Sequence, residues 1–257
     1  MTNIVTLDIE TAPLKVYAWG IWEQNIGLDM IDVEWSILSC AAKNLGNKKV
    51  WYQDTSGQKN LQDDRKLLRS IWNILDEADI IVAQNGRRFD LKKINARMLM
   101  AGMKPYSPVR VIDTLEVAKQ RFAFTSNKLE WQSKYLTNHP KEKHRIYPGF
   151  ELWSECLKGN KRAWAELKKY NIRDVVATEE LYLTQRPWIT NHPNLGVYSE
   201  DAHTCPKCES SNVQKRGETV TQASRYQRYQ CMDCGGWSRG KILLSTLKDR
   251  RSTLVSV

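Results

Sequence analysis

The sequence predicts an α/β protein, a mixed five-stranded sheet with flanking helices, followed by a small C-terminal module closed around a metal. Three observations lead there. An apolar, β-branched run, Ile4-Val5-Thr6-Leu7-Asp8-Ile9-Glu10-Thr11, reads as a buried strand that ends on two carboxylates one residue apart. The periods that follow alternate between strand and helix in the order βββαβαβα, with the helices gathering toward the second half. Two Cys-x2-Cys pairs, Cys205/Cys208 and Cys231/Cys234, lie near the end, a spacing that in a cytosolic chain reads as metal rather than disulfide.

Each element rests on its own pattern. Residues 11–32 form a long connection with Pro13, Trp19, Gly20, Trp22 and Gly27 and no clean period. Residues 35–42 and 48–52 read as strands joined by the turn Asn44-Leu45-Gly46-Asn47, which makes the first three strands an antiparallel meander. Over 61–78, Leu67, Leu68, Ile71, Trp72 and Leu75 recur at helical spacing, and 79–83 is a buried strand. Residues 90–101 are helical and stop at Gly102, and 109–112 is the fifth strand, with Asp113-Thr114 opening the next helix as a cap. From 114 to about 185 the chain is helical apart from a basic loop, 138–149. The last helix, 160–184, carries Trp164, Leu167, Asn171, Asp174, Val175, Thr178 and Leu181 on adjoining faces. Asp174 thereby sits on a mostly buried stripe, where a carboxylate needs a partner.

The formal charge of +10 over 257 residues points to a polyanionic partner, and nucleic acid is the commonest one. No apolar run approaches the roughly 20 residues of a membrane helix, and Met1-Thr2-Asn3 lacks the basic start of a signal peptide. No membrane partner and a cytoplasmic location are therefore expected. Cys40 and Cys156 stand alone and are expected to fill the core.

Three motifs carry the chemistry. In a strand Asp8 and Glu10 point the same way, and like charges that close raise each other's pKa unless a cation sits between them, which suggests a divalent-metal site. Asn85-Gly86-Arg87-Arg88-Phe89-Asp90 follows a buried strand, so Asp90 starts a helix at the strand's carboxyl end, where open α/β sheets put their sites. Gly86 is expected to let the backbone approach a ligand, and Phe89 to pack inward while Asp90 faces the strand-end carboxylates. Tyr170 and Asp174, four apart, share one helix face.

Asp8-x-Glu10-Thr11, Asn85-x3-Phe89-Asp90 and Tyr170-x3-Asp174 together resemble the three exonuclease motifs of the DEDD superfamily, in its tyrosine-bearing (DEDDy) branch. These are ribonuclease H-like 3′-to-5′ exonucleases. The resemblance covers residues 1–188 and is most similar to phage-type exonucleases, through Leu7-Asp8-Ile9-Glu10-Thr11, the Asn85–Asp90 string and Val111-Ile112-Asp113-Thr114-Leu115. The sister branch has a histidine five residues before the last aspartate, where this chain has Lys169.

The resemblance implies that Asp8, Glu10, Asp90 and Asp174 hold two Mg²⁺ or Mn²⁺ ions, with Asp8 bridging. Two such ions about 4 Å apart activate a water and stabilise the leaving 3′-oxygen. Tyr170, with a free pKa near 10, is a poor base and is expected to orient the attacking water. Thr11 and Asn85 are candidates for positioning the terminal nucleotide. Trp19 and Trp22 either stack on terminal bases or, for at least one of them, pack in the core. In the basic loop Lys141, Lys143 and Arg145, with His144 and Tyr147, form either a phosphate-contacting segment or a solvated turn. Asp113 is a helix cap or a support of the site.

In the C-terminal module, 22 residues separate the two cysteine pairs and include the strand-like stretch 225–230. Two knuckles joined by a β-hairpin make a zinc ribbon, in which four thiolates close one structural Zn²⁺ site and His203 stays outside. From Cys205 onward there are ten Lys and Arg against four Asp and Glu. Arg225, Tyr226, Arg228, Tyr229 and Trp237 interleave cations with aromatics, which suits nucleic acid; the rival reading is a ribbon that docks replication or recombination proteins. The expected division is 1–190 exonuclease domain, 191–203 linker, 204–240 zinc ribbon and 241–257 basic tail. The expected function is metal-dependent 3′-to-5′ hydrolysis at DNA 3′ ends, single strands preferred, in phage-type replication, repair or recombination, in the host cytoplasm if phage-encoded. The alternatives are an RNA-trimming exoribonuclease of the same fold and a non-catalytic nucleic-acid-binding zinc-ribbon protein.

Overall fold

The first strand, β1 (Ile4–Thr11), buries consecutive residues from Ile4 to Leu7 and therefore both of its faces, which only a central strand does. The computed structural model of the chain describes residues 2–142, 144, 146–198 and 203–255. A short hairpin of β2 (Lys15–Val16) and β3 (Ile31–Val33) follows β1, then β4 (Ile37–Asn44), β5 (Trp51–Asp54), α1 (Arg65–Glu77), β6 (Ile80–Ala83), α2 (Asp90–Met100), β7 (Arg110–Asp113), α3 (Thr114–Arg121), α4 (Leu129–Leu136), α5 (Glu151–Leu157) and α6 (Lys161–Gln185). Beyond α6 come β8 (Val213–Val220), β9 (Arg225–Cys231), β10 (Trp237–Leu243) and α7 (Leu247–Ser252).

The large sheet has the order β5-β4-β1-β6-β7. β1 pairs antiparallel with β4 and parallel with β6, so the sheet is mixed, as expected of a ribonuclease H-like fold. Alternation along β1 decides what each face meets. Val5, Leu7 and Ile9 pack with Leu67, Leu68, Ile71 and Leu75 of α1 and Ile94 of α2. On the opposite face Leu38 of β4 joins Leu152 and Cys156 of α5 and Ala163, Trp164 and Leu167 of α6. Cys40 and Cys156 are fully buried in these two cores. The side chains of Asp8 and Glu10, out of phase with Leu7 and Ile9, are on the α5–α6 side of β1.

Some boundaries depart from the sequence pattern, each for a local reason. The connection after β1 is not structureless: β2 and β3 pair across it, held by Lys15 and Asp32 at 2.6 Å. The third strand of the meander is 51–54 rather than 48–52. α1 begins at Arg65 rather than 61 because Asp64, its N-cap residue, is fully buried and committed to tertiary partners. Its Oδ2 accepts from the Ile37 backbone N–H at 2.9 Å, and both oxygens accept from the Arg97 guanidinium at 2.7 and 2.8 Å.

The chain forms two compact units, Asn3–Tyr182 and Leu183–Val257. In the second, β8, β9 and β10 make a three-stranded antiparallel sheet in the order β10-β9-β8. β10 runs through residue 240, so the ribbon sheet extends past the expected boundary, and α7 occupies part of the expected tail, opened by a Thr246–Asp249 capping box. Among the described residues no helix is long and apolar enough to cross a membrane.

Asp64→Ala should cost about 2–4 kcal/mol, because it leaves a half-buried guanidinium and a buried backbone donor without their acceptor. Urea unfolding of the variant measures this, as a lower midpoint at unchanged slope.

Candidate active site

The site is built where β1 outruns its neighbour. Pairing with β6 stops at Thr6–Val82, so the Ile9 N–H on that edge has no strand partner. Asp90, the first residue of α2, takes it: its Oδ1 accepts from Ile9 N at 3.1 Å. From the other side α6 brings Asn171, whose Nδ2 donates to Asp8 Oδ2 at 2.6 Å and whose Oδ1 accepts from Ser39 Oγ at 3.0 Å. One turn away in α6, Asp174 completes a trio with Asp8 and Glu10, with carboxylate oxygens within 4.8 Å of one another. Asp90 stands beside that trio rather than within it.

Burial and mutual repulsion dominate the electrostatics. Desolvation first, then the charges of Asp90, Asp174 and Glu10, push Asp8 well above the usual carboxylate range. Glu10 is raised to about 8, by burial and then Asp174, and Asp90 to about 7, mainly by burial. Asp174 is raised by burial, against the pull of Lys141. Lys141 Nζ lies 2.5 Å from Asp174 Oδ2 and 4.5 Å from the centroid of the Tyr170 ring. The other oxygen, Asp174 Oδ1, is buried with no hydrogen-bond partner among the described residues. The converging carboxylates, one of them with an orphaned buried oxygen, make an all-oxygen donor set that fits a hard divalent cation, and a single ammonium offsets only part of their charge.

An aromatic cluster braces the site. Trp153 of α5 donates its Nε1–H to Glu10 Oε2 at 3.1 Å. Its ring stands edge-on to Tyr170 at 6.2 Å and to His144 at 5.4 Å, and His144 is edge-on to Tyr170 at 5.4 Å. Burial, then the nearby Asp174 charge, raises the Tyr170 hydroxyl to about 12, so it stays protonated at neutral pH and is a donor rather than a base. Trp153, Asn171 and Ser39 were not singled out as site residues by the sequence. Their partners lie more than 130 positions away, at separations no local pattern encodes.

One expectation for the second motif is corrected. Phe89 is 39% exposed and does not pack inward, because it ends the loop on the outer side while Asp90 turns in. Gly86 is required by packing: a Cβ there would lie 2.4 Å from the Ala83 Cβ. Asn85 has a left-handed backbone, φ 65°. Asp113 holds this turn, accepting from Asn85 N at 2.9 Å and Arg87 N at 3.1 Å while capping α3 through Leu115 N at 3.0 Å. It is cap and support at once. Thr11 ends β1 at a bulge opposite Ile37. Trp19 and Trp22 are 98% and 80% exposed on the connection spanned by the hairpin, which excludes core packing for both. Lys143 and Arg145 lie outside the described residues.

In the second unit the Sγ atoms of Cys205, Cys208, Cys231 and Cys234 lie within 4.8 Å of one another, with Cys205–Cys234 at 3.7 Å and Cys208–Cys231 at 3.6 Å. Four thiolates 2.3 Å from a tetrahedral zinc would be about 3.8 Å apart. The cluster fits a zinc ribbon, and His203 is not part of it.

The stretch from β4 to the end of α6 is recognised by comparison. A family model described as RNase_H superfamily matches residues 37–185. This chain belongs to the RNase H superfamily. RNase H-like nucleases use divalent metals, in keeping with the carboxylate donors found here. In fold, the chain is similar to a family B DNA polymerase from the hyperthermophilic archaeon Pyrobaculum calidifontis, with TM-score 0.52 and 16% identity. The match covers 73% of this chain and 26% of the polymerase, so this RNase H-superfamily protein spans about a quarter of that neighbour's length. No curated protein matches its sequence.

Two outcomes test the site. Without divalent metal, Asp8→Asn should be at least as stable as the parent, by about 2–4 °C in melting temperature, because it removes one of several repelling charges. Mg²⁺ or Mn²⁺ should then stabilise the parent but not the variant, which differential scanning calorimetry reads directly. Trp153→Phe should weaken metal affinity about tenfold by freeing Glu10, as measured by Mn²⁺ titration followed by electron paramagnetic resonance.

Proposed function

We propose that this protein is a 3′-to-5′ exonuclease acting on DNA ends, single strands preferred, in replication, repair or recombination. The observation that supports it most is the convergence of Asp8 and Glu10 from a strand end, Asp90 from the start of one helix and Asp174 from another, with Tyr170 one turn before Asp174. Superfamily membership supports a nuclease; the tyrosine and its spacing support the exonuclease branch.

In this reading Asp8, Glu10, Asp90 and Asp174 hold two Mg²⁺ or Mn²⁺ ions. Bound there, the cations polarise the phosphodiester and offset charge on the leaving oxygen. The chain's own groups do the rest. Asn171 and Ser39 orient Asp8, and Trp153 orients Glu10. The protonated Tyr170 hydroxyl positions the attacking water. Lys141 sits where an ammonium can turn from Asp174 to a substrate phosphate, a charge-assisted contact. Thr11 and Asn85 flank the terminal nucleotide. Trp19 and Trp22 offer open indole faces to the preceding bases. Lys143 and Arg145, near Lys141 in sequence, add cations that suit the substrate's phosphates. The four cysteines hold one structural Zn²⁺.

Incubation with Mg²⁺ and end-labelled single-stranded DNA, duplex DNA and RNA of one sequence should give stepwise loss from the 3′ end, fastest on single-stranded DNA. Asp8→Ala and Asp174→Asn should lower the rate at least 10³-fold with the fold intact, whereas Tyr170→Phe should cost about 10–100-fold. Faster loss of RNA would favour the exoribonuclease alternative. Full activity of both carboxylate variants would end the assignment.

A further inference from the structure

The five ribbon residues that alternate cation and aromatic in sequence do not share a face. Tyr229 points to the same side as Cys231, and its ring stacks on His203 at 5.8 Å with 21° between planes. Arg225 is engaged with Glu218 at 3.4 Å. The opposite side of β9 and β10 is different. Trp237 pairs with Gln230 and Arg239 with Arg228, so Trp237, Arg239, Arg228 and Tyr226 share one open face. The Arg228 guanidinium lies 4.8 Å from the Trp237 ring and that of Arg239 4.2 Å from the Tyr226 ring. Two stacked guanidinium–indole and guanidinium–phenol pairs thus line the face, with Trp237 47% exposed.

Two features of this face point outward to a ligand. Arg228 and Arg239 are direct cross-strand neighbours, a like-charge pairing that costs stability. Among the described residues neither has a carboxylate partner. In addition, β8 breaks its register between Lys215 and Glu218, and Gly217, at φ 71°, takes the turn. That break lets Arg216 O accept from Arg228 Nε at 2.9 Å, fixing the guanidinium plane over the indole. Planar cations and rings, pre-set and uncompensated, match a strand whose phosphates neutralise the arginines while its bases stack on the exposed rings.

We propose that the β9–β10 face carrying Tyr226, Arg228, Trp237 and Arg239 is a stacking site for single-stranded nucleic acid. It lies in the second unit and stands apart from the exonuclease reading. A protein partner would use the same surface without preference for bases.

The test uses the full chain, no added divalent metal, and oligonucleotides blocked by 3′-phosphorothioates, with binding followed by fluorescence anisotropy at several salt concentrations. The parent should prefer a 20-mer of thymidylate over an abasic strand of equal length about tenfold, and Trp237→Leu should abolish that preference. Arg228→Gln with Arg239→Gln should weaken both strands and lower the slope of log affinity against log salt by about 1.4, two phosphates' worth for a single strand. Bound zinc per chain reports whether each variant is folded. If Trp237→Leu loses its zinc, Arg228→Lys serves instead: it keeps the charge and the salt slope but lowers the base preference. An unchanged slope in the double variant, or a parent indifferent to bases, overturns the proposal and leaves the ribbon to a protein partner. Because no cleavage is involved, either result leaves the exonuclease reading where it stood.

Discussion

Asp90 and Asp174 are buried and Asp8 and Glu10 half-buried beside them, with one ammonium, Lys141, among the described residues, and the fold around them consists largely of the means to hold such a cluster. Desolvation raises all four carboxylates, and repulsion from neighbouring acids raises Asp8, Glu10 and Asp90 further, a condition that an isolated strand end has no reason to keep. Each is fixed by a neutral donor or by backbone: Asn171 on Asp8, Trp153 on Glu10, the Ile9 N–H on Asp90. Lys141 on Asp174 offsets part of the charge. The arrangement is what a divalent cation requires and what a stable core otherwise avoids.

The sheet makes this possible at modest cost. β1 is apolar on the side facing α1 and α2 and carries its acids on the side of α5 and α6, so one strand serves as core and as ligand platform. Ending the β6 pairing at Thr6, two residues before Asp8, leaves an open backbone donor, which the first residue of α2 then uses. The loop between them is shaped by Asp113 and by the close approach of Gly86 to Ala83, and neither needs a ligand to be explained.

Much of this was legible in the sequence because it is written in short-range periods. The alternation in β1, the buried run of β6, the four-residue spacing of Tyr170 and Asp174 and the paired cysteines each encode a local geometry, and the mixed sheet follows from their order. What was not legible depends on distant partners. Asp64 displaces the start of α1 by accepting from Ile37 and Arg97, and Trp153 and Asn171 reach carboxylates far away along the chain. Phe89 was misread for a related reason: a motif says which residue must face the site, but only packing says where its neighbours go. In the ribbon the sequence shows cations interleaved with aromatics but not which of them share a face, and strand pleating sends Tyr229 to one face and Tyr226, Arg228 and Trp237 to the other.

The account stands or falls on whether the buried carboxylates are a metal centre. The most direct measurement is anomalous diffraction from crystals of the protein soaked in Mn²⁺, recorded near the manganese edge. The predicted result is a peak bounded by Asp8, Glu10 and Asp174, with the Lys141 ammonium moved off Asp174. Full soaking with no anomalous density among these carboxylates, and Lys141 still seated on Asp174, would contradict it.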